Sequence, residues 1–112
     1  MYDKSQLMRG TLEGCILKIL SDQTTYGYEI VANLQDYGFE DVKEGTIYPV
    51  LHRMESSGLV MSYRKEAENG KSRKYYSITA GGKKRLTAEK EQWKEFTTAV
   101  NKVIGGENYA LS

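Results

Sequence analysis

Glu44-Gly45-Thr46-Ile47-Tyr48-Pro49-Val50-Leu51-His52-Arg53-Met54-Glu55-Ser56 is the stretch on which the fold turns. Ile47, Val50, Leu51 and Met54 stand at i, i+3, i+4 and i+7, one apolar stripe of an amphipathic helix. Pro49 has no amide hydrogen and is harmless in a first helical turn, where that hydrogen would lack a partner. The pattern puts the start of this helix near Glu44 or Gly45 and its end before Gly58, while Pro49 in a first turn argues for a start near Thr46. Opposite the stripe lie Thr46, Pro49, His52, Arg53 and Ser56, with Tyr48 on the flank. Hydroxyl, imidazole and guanidinium groups on one outer face suit the base edges of a DNA major groove. A solvated face offers the same groups, so the neighbouring segments have to decide.

Downstream, Leu59–Arg64 and Arg73–Ile78 are rich in strand-forming residues, and Asn69-Gly70 between them is a strong turn signal. The expectation is a hairpin with Lys71 at its tip and Lys65, Arg73 and Lys74 on its arms. Thr79 then caps a long helix from Ala80 to about Ile104, closed by Gly105-Gly106. Leu86, Trp93, Phe96, Val100, Val103 and Ile104 line one side of it. That stripe has to pack on the first helix, on another chain, or on both.

Upstream, Met8, Leu12, Ile16, Ile19 and Leu20 give a helical rhythm from Leu7 to Leu20. Gly10 and Gly14 sit four apart within it. They remove side-chain volume, for close packing or for a cleft. Ser21–Thr25 reads as a turn. A second helix runs from Tyr26 to Tyr37 around Ile30, Val31 and Leu34, with Gly38 as its stop. The fold class expected is α+β, mainly α: a winged helix-turn-helix of three helices plus a two-stranded wing, with a long C-terminal dimerisation helix. Its division would be 1–79 as DNA-binding domain, 80–106 as dimerisation helix and 107–112 as flexible tail.

A length of 112 residues is one domain, and 39% hydrophobic with 28% charged residues is a globular composition. No apolar run approaches the ~20 residues that span a bilayer, so no membrane partner is expected. Met1–Gly10 lacks an apolar core of signal-peptide length, and the expected location is cytoplasmic. One cysteine, Cys15, and one histidine, His52, make neither an intrachain disulfide nor a zinc site. As a nucleophile and base the pair is unpersuasive, because Cys15 lies beside an apolar helical face. No enzyme activity and no cofactor are expected. The net charge of +1 is uninformative, but eight of the 16 Lys and Arg fall between Arg64 and Arg85, opposed only by Glu66 and Glu68. Local basic clustering of this kind is an electrostatic footprint for nucleic acid.

Several segments also resemble the PadR family. Arg9-Gly10-Thr11-Leu12-Glu13-Gly14 and Tyr26-Gly27-Tyr28-Glu29-Ile30 are similar to its first two signatures. Glu44–Pro49 with Leu51–Glu55 resembles its recognition-helix motif. Gly70–Tyr76 with Thr79-Ala80-Gly81-Gly82 resembles its wing and exit turn. The likeness runs from about Leu7 to Phe96 and fits the short form with a single C-terminal helix. It implies a homodimeric repressor on a roughly palindromic double-stranded DNA operator. In some relatives a flat aromatic effector sits at the dimer centre against a tryptophan that Trp93 matches. The corresponding ligand-binding residues would be Leu7, Gly10, Glu13, Gly14, Trp93 and Phe96, although Phe96-Thr97 departs from the multidrug-binding pattern. The DNA-binding residues expected are Thr46, Tyr48, Pro49, His52, Arg53, Lys65, Lys71, Arg73 and Lys74. The competing reading is a winged helix used for protein contacts without sequence-specific DNA binding.

Overall fold

Among the described residues, four helices and three strands follow one another as α1 (Leu12–Asp22), β1 (Thr25–Tyr26), α2 (Gly27–Asp36), α3 (Glu44–Ser56), β2 (Val60–Glu66), β3 (Ser72–Ile78) and α4 (Ala80–Ile104). The computed structural model describes residues 11–66 and 68–105. Leu7 and Gly10, and the tail 107–112, lie outside the described residues. The expected rhythm of α1 holds where it is described, with Leu12, Ile16, Leu17 and Leu20 buried. Ile30, Val31 and Leu34 of α2 and Ile47, Val50, Leu51 and Met54 of α3 close on them. Ile16, Leu17, Ile30, Leu34, Ile47, Leu51 and Met54 are fully buried. At roughly 1.5–3 kcal/mol for each such side chain, this junction of three helices is the main source of cohesion.

Two expectations need correction. The helix α3 starts at Glu44, as the pattern has it and not near Thr46 as the proline argument has it, and Pro49 lies inside it, past the first turn. The Lys43 carbonyl accepts from Thr46 N (3.0 Å) and Ile47 N (3.2 Å), which closes a turn before the proline is reached. Pro49 then forfeits only the bond to the Gly45 carbonyl, on an exposed turn where solvent can replace it. The second correction concerns Thr25, expected to be part of a turn. It is buried and pairs with Tyr76, and Tyr26 pairs with Tyr75. The hairpin therefore belongs to a three-stranded antiparallel sheet in the order β1-β3-β2.

The wing is the β2–β3 hairpin, in register from Val60↔Ile78 out to Glu66↔Ser72. Gly70 takes φ +81° at the turn, a value that glycine adopts without steric cost. Asn69 Oδ1 accepts from Lys71 N (3.1 Å) beside it. Thr79 then joins sheet to helix. Its Oγ1 accepts from Gly82 N (2.9 Å), capping α4, and donates to the Gly58 carbonyl (2.6 Å).

The helix α4 packs by Leu86 onto the core and by Arg85 and Glu89 onto α1, and its later turns carry exposed apolar side chains. Trp93 is 51% exposed, Phe96 61%, Val103 83% and Ile104 80%. The molecule is correspondingly elongated, 58 × 31 × 21 Å.

Candidate nucleic-acid interface

A cleft of about 610 Å³ opens where α3, the wing and the start of α2 meet. Tyr48 and His52 of α3 form one wall; Arg64, Ser72, Arg73, Lys74 and Tyr76 of the wing form the other; Tyr26 and Tyr28 close the end. Five of the lining side chains are thus sequence-expected or come from the basic cluster around them: Tyr48, His52, Arg64, Arg73 and Lys74. Thr46, Pro49 and Arg53 are exposed on α3 outside the lining, and Lys65 and Lys71 are exposed further out on the wing.

Strand alternation divides the wing cations between two faces. Arg64 and Lys74 are register partners and share the face of buried Val60 and Tyr76, which looks toward α3. Lys65 and Arg73 are also partners, on the opposite face. That outer face carries a run of tyrosines. Tyr63 stacks with Tyr75 (5.9 Å, 16°), Tyr75 meets Tyr26 edge-on (5.4 Å, 65°), and Tyr26 stacks with Tyr28 (6.5 Å, 13°). Arg73 lies 4.5 Å over the Tyr26 ring and Lys65 5.7 Å over Tyr75. These rings hold both cations beside the hairpin.

On the inner face one carboxylate gathers the polar contacts. Glu55, at the end of α3, accepts from Ser62 Oγ of β2 (2.5 Å) and pairs with Lys74 Nζ of β3 (3.4 Å). The Ser62 bond, with Lys74 and His52 adding to it, holds the Glu55 carboxyl below the usual carboxylate value. Lys74 also lies 5.5 Å over the Tyr76 ring. Burial, then Glu44 and Tyr76, push the Tyr48 phenol up, so it remains a neutral donor and acceptor.

Tyr26, Tyr28, Glu55, Arg64 and Tyr76 are not among the expected site residues. Arg64 is within reach of sequence reasoning, because pairing it with Lys74 needs only the hairpin register. Tyr26 enters through β1, a strand too short to leave a periodic signal; Tyr28 follows it in the first turn of α2, and Tyr76 needs the register of β3.

Of the two helix-one glycines only Gly14 lies within the described residues, and its surroundings are filled. Glu13 Oε1 meets Arg85 Nη2 at 3.4 Å, and Arg85 Nε bonds Glu89 Oε1 at 2.8 Å. The Glu89 carboxylate occupies the space that a β-carbon on Gly14 would take. Glycine there serves close packing of α4 on α1. Trp93 and Phe96 lie against each other on α4 (6.0 Å between centroids, 32° between planes). Among the described residues no group of His, Cys, Asp and Glu is placed to hold a metal. No described helix is long and apolar enough to cross a membrane.

Three helices, a basic hairpin completing a small sheet and a long trailing helix define a winged helix-turn-helix, the class of protein to which this chain belongs. Its residues 16–88 match the Transcriptional regulator PadR-like family, and the chain is a member of that family: a transcriptional regulator, not an enzyme. It is similar to a PadR-like transcriptional regulator from Bacillus cereus, with 44% identity and a TM-score of 0.84 over 92% of this chain and 100% of that one. It is 29% identical to a transcriptional regulator of Mycobacterium tuberculosis over 93% of this chain and 92% of that protein. Bacillus subtilis PadR, whose structure was determined in complex with operator DNA, is 25% identical, with a TM-score of 0.64 over 70% of this chain and 44% of that one.

Proposed function

We propose that the chain is a cytoplasmic, homodimeric repressor that binds a roughly palindromic operator, with α3 in the major groove and the wing on phosphate. The observation that carries the reading is the cleft, in which Tyr48 and His52 of α3 face Arg64 and Lys74 of the wing. Base-reading groups of α3 and cations of the wing therefore open on one side of the molecule. The similar Bacillus subtilis protein was solved in complex with operator DNA, which supports the DNA-binding reading.

The experiment is duplex affinity measured against salt. Neutralised phosphates release counterions, so binding should fall steeply as salt rises. Lys71→Ala should weaken all sequences alike and flatten the slope by about one unit. Thr46→Ala or His52→Ala should instead change sequence preference. Little binding to any duplex would favour the protein-contact reading. Wild-type affinity in a Lys71→Ala, Arg64→Ala double variant would remove the wing from the interface.

The dimer would form through α4, where Trp93, Phe96, Val103 and Ile104 are exposed on one chain. Two-fold symmetry would then set two α3 helices about one DNA turn apart, or a multiple of it. The paired rings of Trp93 and Phe96 offer a surface on which a flat aromatic effector can stack at the dimer centre.

A further inference from the structure

We infer that Glu55 is a positioning residue for DNA discrimination: it joins the end of α3 to both wing strands and keeps the Lys74 charge out of general phosphate binding. The inference rests on the DNA-binding reading above. Glu55 contacts two strands at once, through Ser62 of β2 and Lys74 of β3. The depth and tilt of α3 relative to the wing are therefore set partly by one side chain, in a region where most other contacts are apolar and less directional.

Lys74 is held on two sides. Its ammonium faces the Glu55 carboxylate and lies over the Tyr76 ring, and its side chain is only partly exposed. A lysine that already has a carboxylate partner releases little counterion when DNA arrives, so it adds little sequence-independent affinity. Lys71, by contrast, is exposed at the wing tip. One of the wing cations thus serves alignment and another serves attraction. The chemistry separates them before any DNA is bound.

Substitution tests this directly. Glu55→Gln keeps an oxygen for Ser62 but removes the charge that holds Lys74. It should raise affinity for a random-sequence duplex, steepen that duplex's salt slope by about one unit, and lower the ratio of operator to random affinity. Ser62→Ala leaves the Lys74 pair in place; it should lower operator affinity with the random-duplex slope unchanged. Adding Lys74→Met to Glu55→Gln should return the slope to its wild-type value, which loss of fold would not do. The operator used would be the duplex that wild-type protein enriches from a random pool. Wild-type slope and ratio in Glu55→Gln would overturn the inference while leaving the DNA reading intact. A wild-type protein that binds no duplex would overturn both.

Discussion

The ring of Tyr48 lies against Gly27: a β-carbon on the glycine would stand 2.6 Å from the ring. Through this contact the outer flank of α3 rests on the first residue of α2. No other residue type leaves room for it. Gly27→Ala should push the phenol toward the cleft and shift α3 on its support. Overpacking of this kind costs about 1–3 kcal/mol, and operator affinity should fall with it. Urea unfolding and operator titration of Gly27→Ala and of Gly27→Ala, Tyr48→Ala check the argument. The double variant should recover stability, because its ring is gone; no recovery would mean that the glycine serves something other than Tyr48.

Thr79 holds the sheet, the turn after α3 and the start of α4 with one hydroxyl, as acceptor from Gly82 N and donor to Gly58 O. Thr79→Val keeps the shape and loses both bonds. The expected cost is about 1–2 kcal/mol, the usual worth of a helix N-cap. Thr79→Ser should lose much less. Chemical unfolding that found Thr79→Val as stable as the wild type would show that α4 starts without its cap.

Much of this architecture is legible in the amino-acid sequence, and what is legible and what is not have separate physical causes. The limits of α2 and α4 follow from periodicity, a glycine stop and a threonine cap, all local signals that tertiary contacts have no reason to override. Strand β1 escapes because two residues cannot show alternation; it exists only because Tyr75 and Tyr76 of β3 lie alongside. The proline argument misplaces the start of α3 because it assumes that losing one backbone bond must end a helix, whereas the exposed Gly45 turn tolerates it. In the candidate site, Tyr48, His52, Arg73 and Lys74 are legible from composition and pattern. Their division between faces needs the hairpin register, and the role of Glu55 needs the packing of α3 on the sheet.

Cys15 illustrates a group whose chemistry the fold suppresses. Burial, and then the nearby Glu89 carboxylate, raise its thiol above the ordinary value of 9.0. Since the thiolate is the reactive form, a raised value means less of it at neutral pH. Alkylation by iodoacetamide, followed by mass spectrometry, should be slower in the folded protein than in urea. Glu89→Gln removes the second cause and should speed the folded reaction modestly. A rate equal to that in urea would show that the thiol is open to solvent.

The exposed side of α4 carries the strongest remaining expectation. Trp93 and Phe96 touch each other but nothing from the core covers them, and Val103 and Ile104 continue the same apolar side. Burying each such side chain is worth roughly 1.5–3 kcal/mol, and a symmetric partner doubles the number buried, which outweighs the cost of association. Phe96→Asp should therefore yield monomers by sedimentation at micromolar concentration, with weaker operator binding, because two linked recognition helices become one. Trp93 is the single tryptophan of the chain, so its fluorescence reports this place alone. On dimerisation its emission should shift toward the blue. A planar aromatic effector that stacks there should quench it and lower operator affinity together, by no more than its preference for one dimer geometry over the other. If a broad panel of planar aromatics leaves both signals unchanged while Phe96→Asp still breaks the dimer, Trp93 is an interface anchor and the effector site does not exist. If Phe96→Asp remains a dimer, α4 is not the interface, and the exposed side of the helix needs a different partner.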